Sequence, residues 1–184
     1  NWSMGDKITI DSATLVNKCF ELIEAKYLFD LNPDKLEVLI QPQSIIHSMV
    51  EPKDGSVEAQ MSLPSMAIPL SFGLLGEYLS ETKKYFSLDM FKEDIKLTIS
   101  DFPKDREELI EIAKDVMKHG GNRGLIFASI NDFAVKKYLQ GEIKFGEIYN
   151  LIFKHYPEME KKEILNLEDL RNNQSEILGY LEGI

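Results

Sequence analysis

The sequence predicts an α+β chain: a small mixed or antiparallel sheet with packed helices, followed by a C-terminal four-helix bundle. Three observations carry that expectation. Short β-rich runs, punctuated by prolines and by an Asp54-Gly55 turn signal, are confined to the first half. Amphipathic stretches bounded by capping residues fill residues 105–184. No internal repeat or low-complexity tract is visible, so a repeat architecture is not expected.

Each element follows from local chemistry. Lys7-Ile8-Thr9-Ile10 reads as a short β-like stretch after a loop that carries Trp2. Asp11 or Ser12 then caps a helix expected over residues 13–29, with Leu15, Cys19, Leu22, Ile23 and Phe29 at helical spacing and Asn32-Pro33 as its stop. Residues 36–40 are a strand candidate stopped by Pro42. Residues 45–51 and 56–63 are two more, joined through Pro52-Lys53-Asp54-Gly55. Pro64 and Pro69 bracket the entry to a helix over 65–78. Residues 79–104 are polar and mixed, and Lys83-Lys84-Tyr85 and Ser100-Asp101-Phe102-Pro103 read as connector. Asp105, Glu107 and Glu108 put acids into the first turn of a helix that closes at His119-Gly120-Gly121. Helices are then expected over 125–139, ended by Gly141, over 145–155, stopped by Pro157, and over 167–181. The regions are therefore 1–78, a connector at 79–104, and the bundle at 105–184.

Composition narrows the function. The chain has 184 residues, 43% of them hydrophobic, which is ordinary for a folded protein. One cysteine excludes an internal disulfide framework and points to a reducing compartment. A net charge of −10 argues against a nucleic-acid backbone or an anionic membrane as the main partner. No signal peptide is expected, and no apolar run approaches the ~20 residues that span a bilayer. The chain opens on Asn1-Trp2-Ser3-Met4-Gly5 and is expected to be a piece of a longer protein.

The densest polar cluster on an apolar helix is Ser12, Asn17, Lys18 and Glu21. Asn17 and Glu21 are four apart and Lys18 and Glu21 three apart, so all three share one helical face. Ser12 is expected at the helix N-terminus, where free N–H groups favour an anion. Hydroxyl, amide and ammonium together suit a phosphate, and the carboxylate suits a divalent metal. The same residues also read as an N-cap serine followed by an exposed ion pair. His47 lies in an apolar strand, where a structural role is the simpler reading. His119 and His155 sit near helix ends, where a cation is favourable. Cys19 lies among apolar neighbours and is expected to be buried. No glycine-rich nucleotide loop is present, so the chain has no nucleotide-binding unit of its own.

Two long runs, NWSMGDKITIDSATLVNKCFE (residues 1–21) and LEVLIQPQSIIHSMVEPKDGSVEAQ (residues 36–60), resemble the 1-deoxy-D-xylulose 5-phosphate reductoisomerase family. SINDFAVKKYL (residues 129–139) is more loosely similar to the family's helical bundle. The resemblance implies an enzyme of isoprenoid synthesis that uses NADPH and a divalent metal (Mg, Mn or Co) on a small phosphorylated sugar, and that forms a homodimer in the bacterial cytoplasm. It implies that residues 1–78 are part of the central catalytic and dimerisation domain, with a flexible loop at 1–7. The nucleotide domain and the other two metal ligands would lie upstream. Glu21 matches the third metal ligand. Ser12, Asn17 and Lys18 match substrate-binding groups, chiefly at the phosphate end. Trp2 matches the indole of the loop that closes over the substrate, with Ser3 and Met4 beside it, and Gly5 matches a backbone contact to NADPH, next to Met4. His47 matches a central-domain histidine linked to activity. Two positions depart from the family: Cys19 replaces a common glycine, and Gln41 stands where a histidine often precedes Pro-Gln-Ser.

The implied roles make physical sense. A hard cation on oxygen ligands chelates a vicinal carbonyl and hydroxyl. Fixing the non-reacting phosphate converts binding energy into orientation. An indole on a hinged loop excludes water. The chain alone is expected to be inactive. The alternative from a different class is a structural, dimerising module without a ligand, pairing through its strand edges.

Overall fold

The structure is a computed structural model that describes residues 5–76, 83, 87–88 and 96–184. The chain forms two compact units: Asn1–Val38 with Pro103–Ile184, and Leu39–Phe102. This grouping crosses the expected boundary at residue 78, because the first two helices pack with the bundle. Trp2, Ser3 and Met4, and most of the expected connector, lie outside the described residues.

The first unit begins with α1 (Asp6–Thr14) and α2 (Val16–Phe29), separated by Leu15 in the left-handed region at φ 67°. Residues 7–10 are therefore helical, not β-like. Four residues of apolar alternation do not distinguish a strand from a helix turn. What decides is burial of Ile10, Asp11 and Thr14 on one helical side. The helix over 13–29 is likewise interrupted: the sequence pattern is continuous, but the chain turns at Leu15. Val16, Cys19 and Leu22 form the buried stripe of α2.

After short 3₁₀ turns at Pro33–Lys35 and Lys104–Arg106 come the four expected bundle helices. In α4 (Glu107–His119), Leu109, Ile112, Ala113, Val116 and Met117 make an apolar stripe at helical spacing. α5 (Arg123–Leu139) is the central helix, touching α4, α6 (Glu147–Glu158) and α7 (Leu167–Glu182), and is buried on more than one side. Phe127 at its centre meets Phe20 of α2 at 5.1 Å and Tyr156 of α6 edge-on at 6.4 Å between ring centroids. α7 starts at Asn166, whose side chain accepts from the Asp169 N–H at 2.9 Å.

Between α4 and α5, Asn122 binds the loop after α6. Its amide donates to the Glu160 carbonyl and to Asn173 Oδ1, both at 3.0 Å, and its Oδ1 accepts from the Lys162 N–H at 2.9 Å. A Cβ on the preceding Gly121 (φ +64°) would lie 2.4 Å from the Lys162 carbonyl oxygen.

The second unit holds two two-stranded antiparallel sheets among the described residues. β2 (Ile46–Val50) pairs with β3 (Glu58–Met61), with an irregularity between Ile46 and Ser48. The Asp54-Gly55 signal lies in the connecting turn, where Gly55 takes φ +80° and Asp54 Oδ1 accepts from the Ser56 N–H at 2.9 Å. β1 (Leu39–Ile40) pairs with β4 (Ser100–Asp101), so Ser100-Asp101 is strand and not connector. α3 (Ala67–Leu75) ends at Gly76 in the left-handed region.

Candidate functional site

Three of the four cluster residues, Asn17, Lys18 and Glu21, come together on α2. Lys18 Nζ donates to both Glu21 carboxylate oxygens at 2.8 Å, and Asn17 Nδ2 donates to Oε1 at 2.6 Å. The Lys18 and Glu21 side chains are each 47% exposed. Such a solvated i,i+3 pair contributes only about 0.3–0.5 kcal/mol, so the fold has little need of it. Both partners are available to a ligand of opposite charge.

Ser12 is not at a helix N-terminus. It lies in the last turn of α1, where its carbonyl accepts from the Leu15 N–H at 3.2 Å. α2 starts four residues later, because the left-handed Leu15 ends the first helix. The helix-dipole argument for an anion at Ser12 therefore fails, although its hydroxyl makes no hydrogen bond among the described residues.

Gly5 is the exposed N-cap of α1, and its carbonyl accepts from the Thr9 N–H at 3.1 Å and from the Thr9 hydroxyl at 3.0 Å. An open groove of about 520 Å³ is bordered by Gly5, Lys7, Asp11, Asn17, Phe20 and Glu24, among others. His47 belongs to the second unit. It is exposed on β2, with Nε2 3.2 Å from the Ser62 carbonyl oxygen, so it is not a core histidine. Gln41 caps a local turn, its Oε1 accepting from the Ile45 N–H at 2.8 Å.

Glu21 supplies a hard, half-exposed oxygen donor of the kind a magnesium-type cation takes. Among the described residues no group of three or more acidic, histidine or cysteine side chains surrounds it, so it fits as one ligand of a larger set.

Sequence reasoning missed Asp11 and Asn131. In the sequence Asp11 reads only as a cap, yet it is buried, accepting from Asn131 Nδ2 at 2.8 Å and pairing with Lys7. The signal available was the Lys7–Asp11 spacing of one helical turn.

Comparison with known proteins points to one family. Residues 1–29 match the family profile "1-deoxy-D-xylulose 5-phosphate reductoisomerase C-terminal domain", and residues 61–177 match "DXP reductoisomerase C-terminal domain". The reductoisomerase of Psychromonas ingrahamii is 43% identical over 171 residues, covering 92% of this chain and 42% of that protein. That of Porphyromonas gingivalis is 42% identical over 164 residues, covering 89% and 41%. Among solved structures, a DOX-P reductoisomerase in complex with NADPH, fosmidomycin and magnesium superposes with a TM-score of 0.83 at 31% identity, over 100% of this chain and 47% of that one. The Zymomonas mobilis reductoisomerase in complex with NADPH gives a TM-score of 0.76 at 31% identity, over 97% and 48%. The chain thus spans less than half the length of these relatives. With profiles matched at both ends and relatives of the same name along its whole length, the chain belongs to the 1-deoxy-D-xylulose 5-phosphate reductoisomerase family.

Proposed function

We propose that this chain is the substrate-holding and helical part of a longer NADPH- and divalent-metal-dependent enzyme that converts 1-deoxy-D-xylulose 5-phosphate to 2-C-methyl-D-erythritol 4-phosphate. The observation that carries the reading is the Asn17–Lys18–Glu21 face of α2, held together at 2.6 to 2.8 Å. On substrate binding the pair separates: Lys18 and Asn17 turn to the phosphate, and Glu21 is freed as a ligand. Separation costs little because both side chains are already solvated. Ser12 adds a hydroxyl donor to the phosphate end. A divalent cation would polarise the vicinal carbonyl and hydroxyl of the sugar, and NADPH would supply the hydride.

In the same reading Trp2 closes over the substrate and excludes water, Gly5 and Met4 meet the nucleotide, and His47 belongs to the substrate domain. Residues 1–78 contribute on this reading to the central domain and 105–184 form the helical domain, with 79–104 between them supplying the strand Ser100–Asp101. The protein works in the bacterial cytoplasm as a homodimer. Exposed Met49, Val50 and Val57 on and beside the β2–β3 ribbon support strand pairing between copies.

The test is steady-state kinetics on the full-length protein, following NADPH consumption. Lys18→Ala is expected to raise KM for the phosphosugar by at least about tenfold, as the loss of a charge-assisted phosphate contact should. Wild-type-like kinetics in that variant would refute the assignment.

A further inference from the structure

Ser12 lies between two residues that are tied down from different elements of the same unit. On one side, the buried Asp11 carboxylate accepts from Asn131 Nδ2 of α5 at 2.8 Å. Its backbone carbonyl accepts from the Thr14 hydroxyl at 3.1 Å, and Thr14 is fully buried. On the other side, the Ala13 carbonyl accepts from Arg106 Nη1 at 3.1 Å. The Arg106 guanidinium is itself seated over the Tyr149 ring, 5.1 Å from its centroid. Between these anchors the Ser12 hydroxyl has no hydrogen-bond partner among the described residues.

Stability does not require this design. A carboxylate taken out of water is costly to desolvate, and apolar packing of similar volume is often as stable or more so. The Asn131 side chain is fully buried, and its Oδ1 has no hydrogen-bond partner among the described residues. A buried amide with one atom orphaned is a poor stabiliser, so its single bond to Asp11 has another use. What the two ties do achieve is a fixed backbone on both flanks of one free hydroxyl. Such pre-orientation lowers the cost of ordering a binding group when ligand arrives.

We infer that Asn131 through Asp11, and Arg106 through Ala13, are positioning residues that present the Ser12 hydroxyl to the phosphate end of the substrate. The inference rests on the reading of Ser12 as a substrate-binding group. It is tested in the full-length enzyme by NADPH consumption with 1-deoxy-D-xylulose 5-phosphate, with thermal melts on every variant. Arg106→Met and Asn131→Leu are each expected to raise KM about tenfold with kcat within about threefold, the mark of misplaced binding rather than lost chemistry. Arg106→Lys keeps one donor and should return KM to within about threefold of wild type. In a Ser12→Ala background, where no hydroxyl remains to be positioned, Arg106→Met should change KM by less than about twofold. Wild-type turnover together with an unchanged KM in folded Arg106→Met, or equal effects with and without Ser12, overturns this inference alone. Absence of wild-type turnover overturns the functional reading and this inference with it.

Discussion

Cys19 shows how one side chain can be chemically silent inside the helix that carries the candidate site. It is fully buried, with Sγ 3.5 Å from the Leu109 carbonyl oxygen, and burial pushes its thiol up to about 12. The thiolate is the reactive form, so Cys19 should resist alkylation at pH 8 in the native protein and react at once in denaturant. Rapid native labelling would contradict this burial. The linkage has a sign: the folded state holds the proton more tightly, so the stability gained by burying the neutral thiol is complete below about pH 9 and is lost as pH rises towards about 12. At this scale Asn17, Lys18 and Glu21 were legible in the sequence, because one helical turn is enough to bring them together. Ser12 was misplaced because its setting depends on a helix break at Leu15, and leucine is among the residues least expected to adopt a left-handed backbone. His47 has apolar neighbours in sequence, but on a two-stranded ribbon those neighbours do not guarantee burial.

Among the elements, Asp115 of α4 ties together three helices. Tyr156 of α6 donates its hydroxyl to Oδ2 at 2.7 Å, Arg123 of α5 donates from Nε at 3.2 Å, and His119 lies 2.8 Å from Oδ1. Burial works to raise the carboxyl, but the hydrogen bonds from Tyr156 and His119 and the Arg123 charge outweigh it and hold it below the ordinary aspartate value. The stability this junction provides is therefore present above pH ~4 and lost as pH falls through the folded-state value. Thermal melts of wild type and Asp115→Asn should differ at pH 7 and converge towards pH 2. A second prediction concerns the α4–α5 turn. Gly121→Ala would force a Cβ to within 2.4 Å of the Lys162 carbonyl oxygen at φ +64°, and should lower stability in urea by about 2 kcal/mol or more. The four bundle helices were legible because their apolar residues recur at helical spacing, although Pro157, expected to stop α6, lies inside its last turn. β1 and β4 were not fully legible: each is two residues long, and they pair across about sixty residues of sequence, which no local pattern encodes.

For the molecule as a whole, the net charge of −10 argues against a polyanionic partner but says little about a small anion. On the proposed reading Lys18, once released from Glu21, supplies local positive charge that the total conceals. On the proposed reading the 184-residue chain alone consumes no NADPH, and turnover returns only when the rest of the enzyme is supplied. Activity of the purified chain by itself would refute that, and sedimentation equilibrium of the full-length protein should give a dimer. The division into compact units was the least legible feature, since the helices within residues 5–38 pack with helices that begin some seventy residues later. Leu15 carries that lesson into folding. Its local sequence favours one unbroken helix from α1 into α2, while the native chain bends there at a cost of roughly 1–2 kcal/mol. The corner is thus a point of local frustration, contacted in the folded chain by Asn131 through Asp11 and by Arg106 through Ala13. A peptide of residues 5–30 should form a straight helix in helix-promoting solvent, and the shape that presents Ser12 should be among the last features to form.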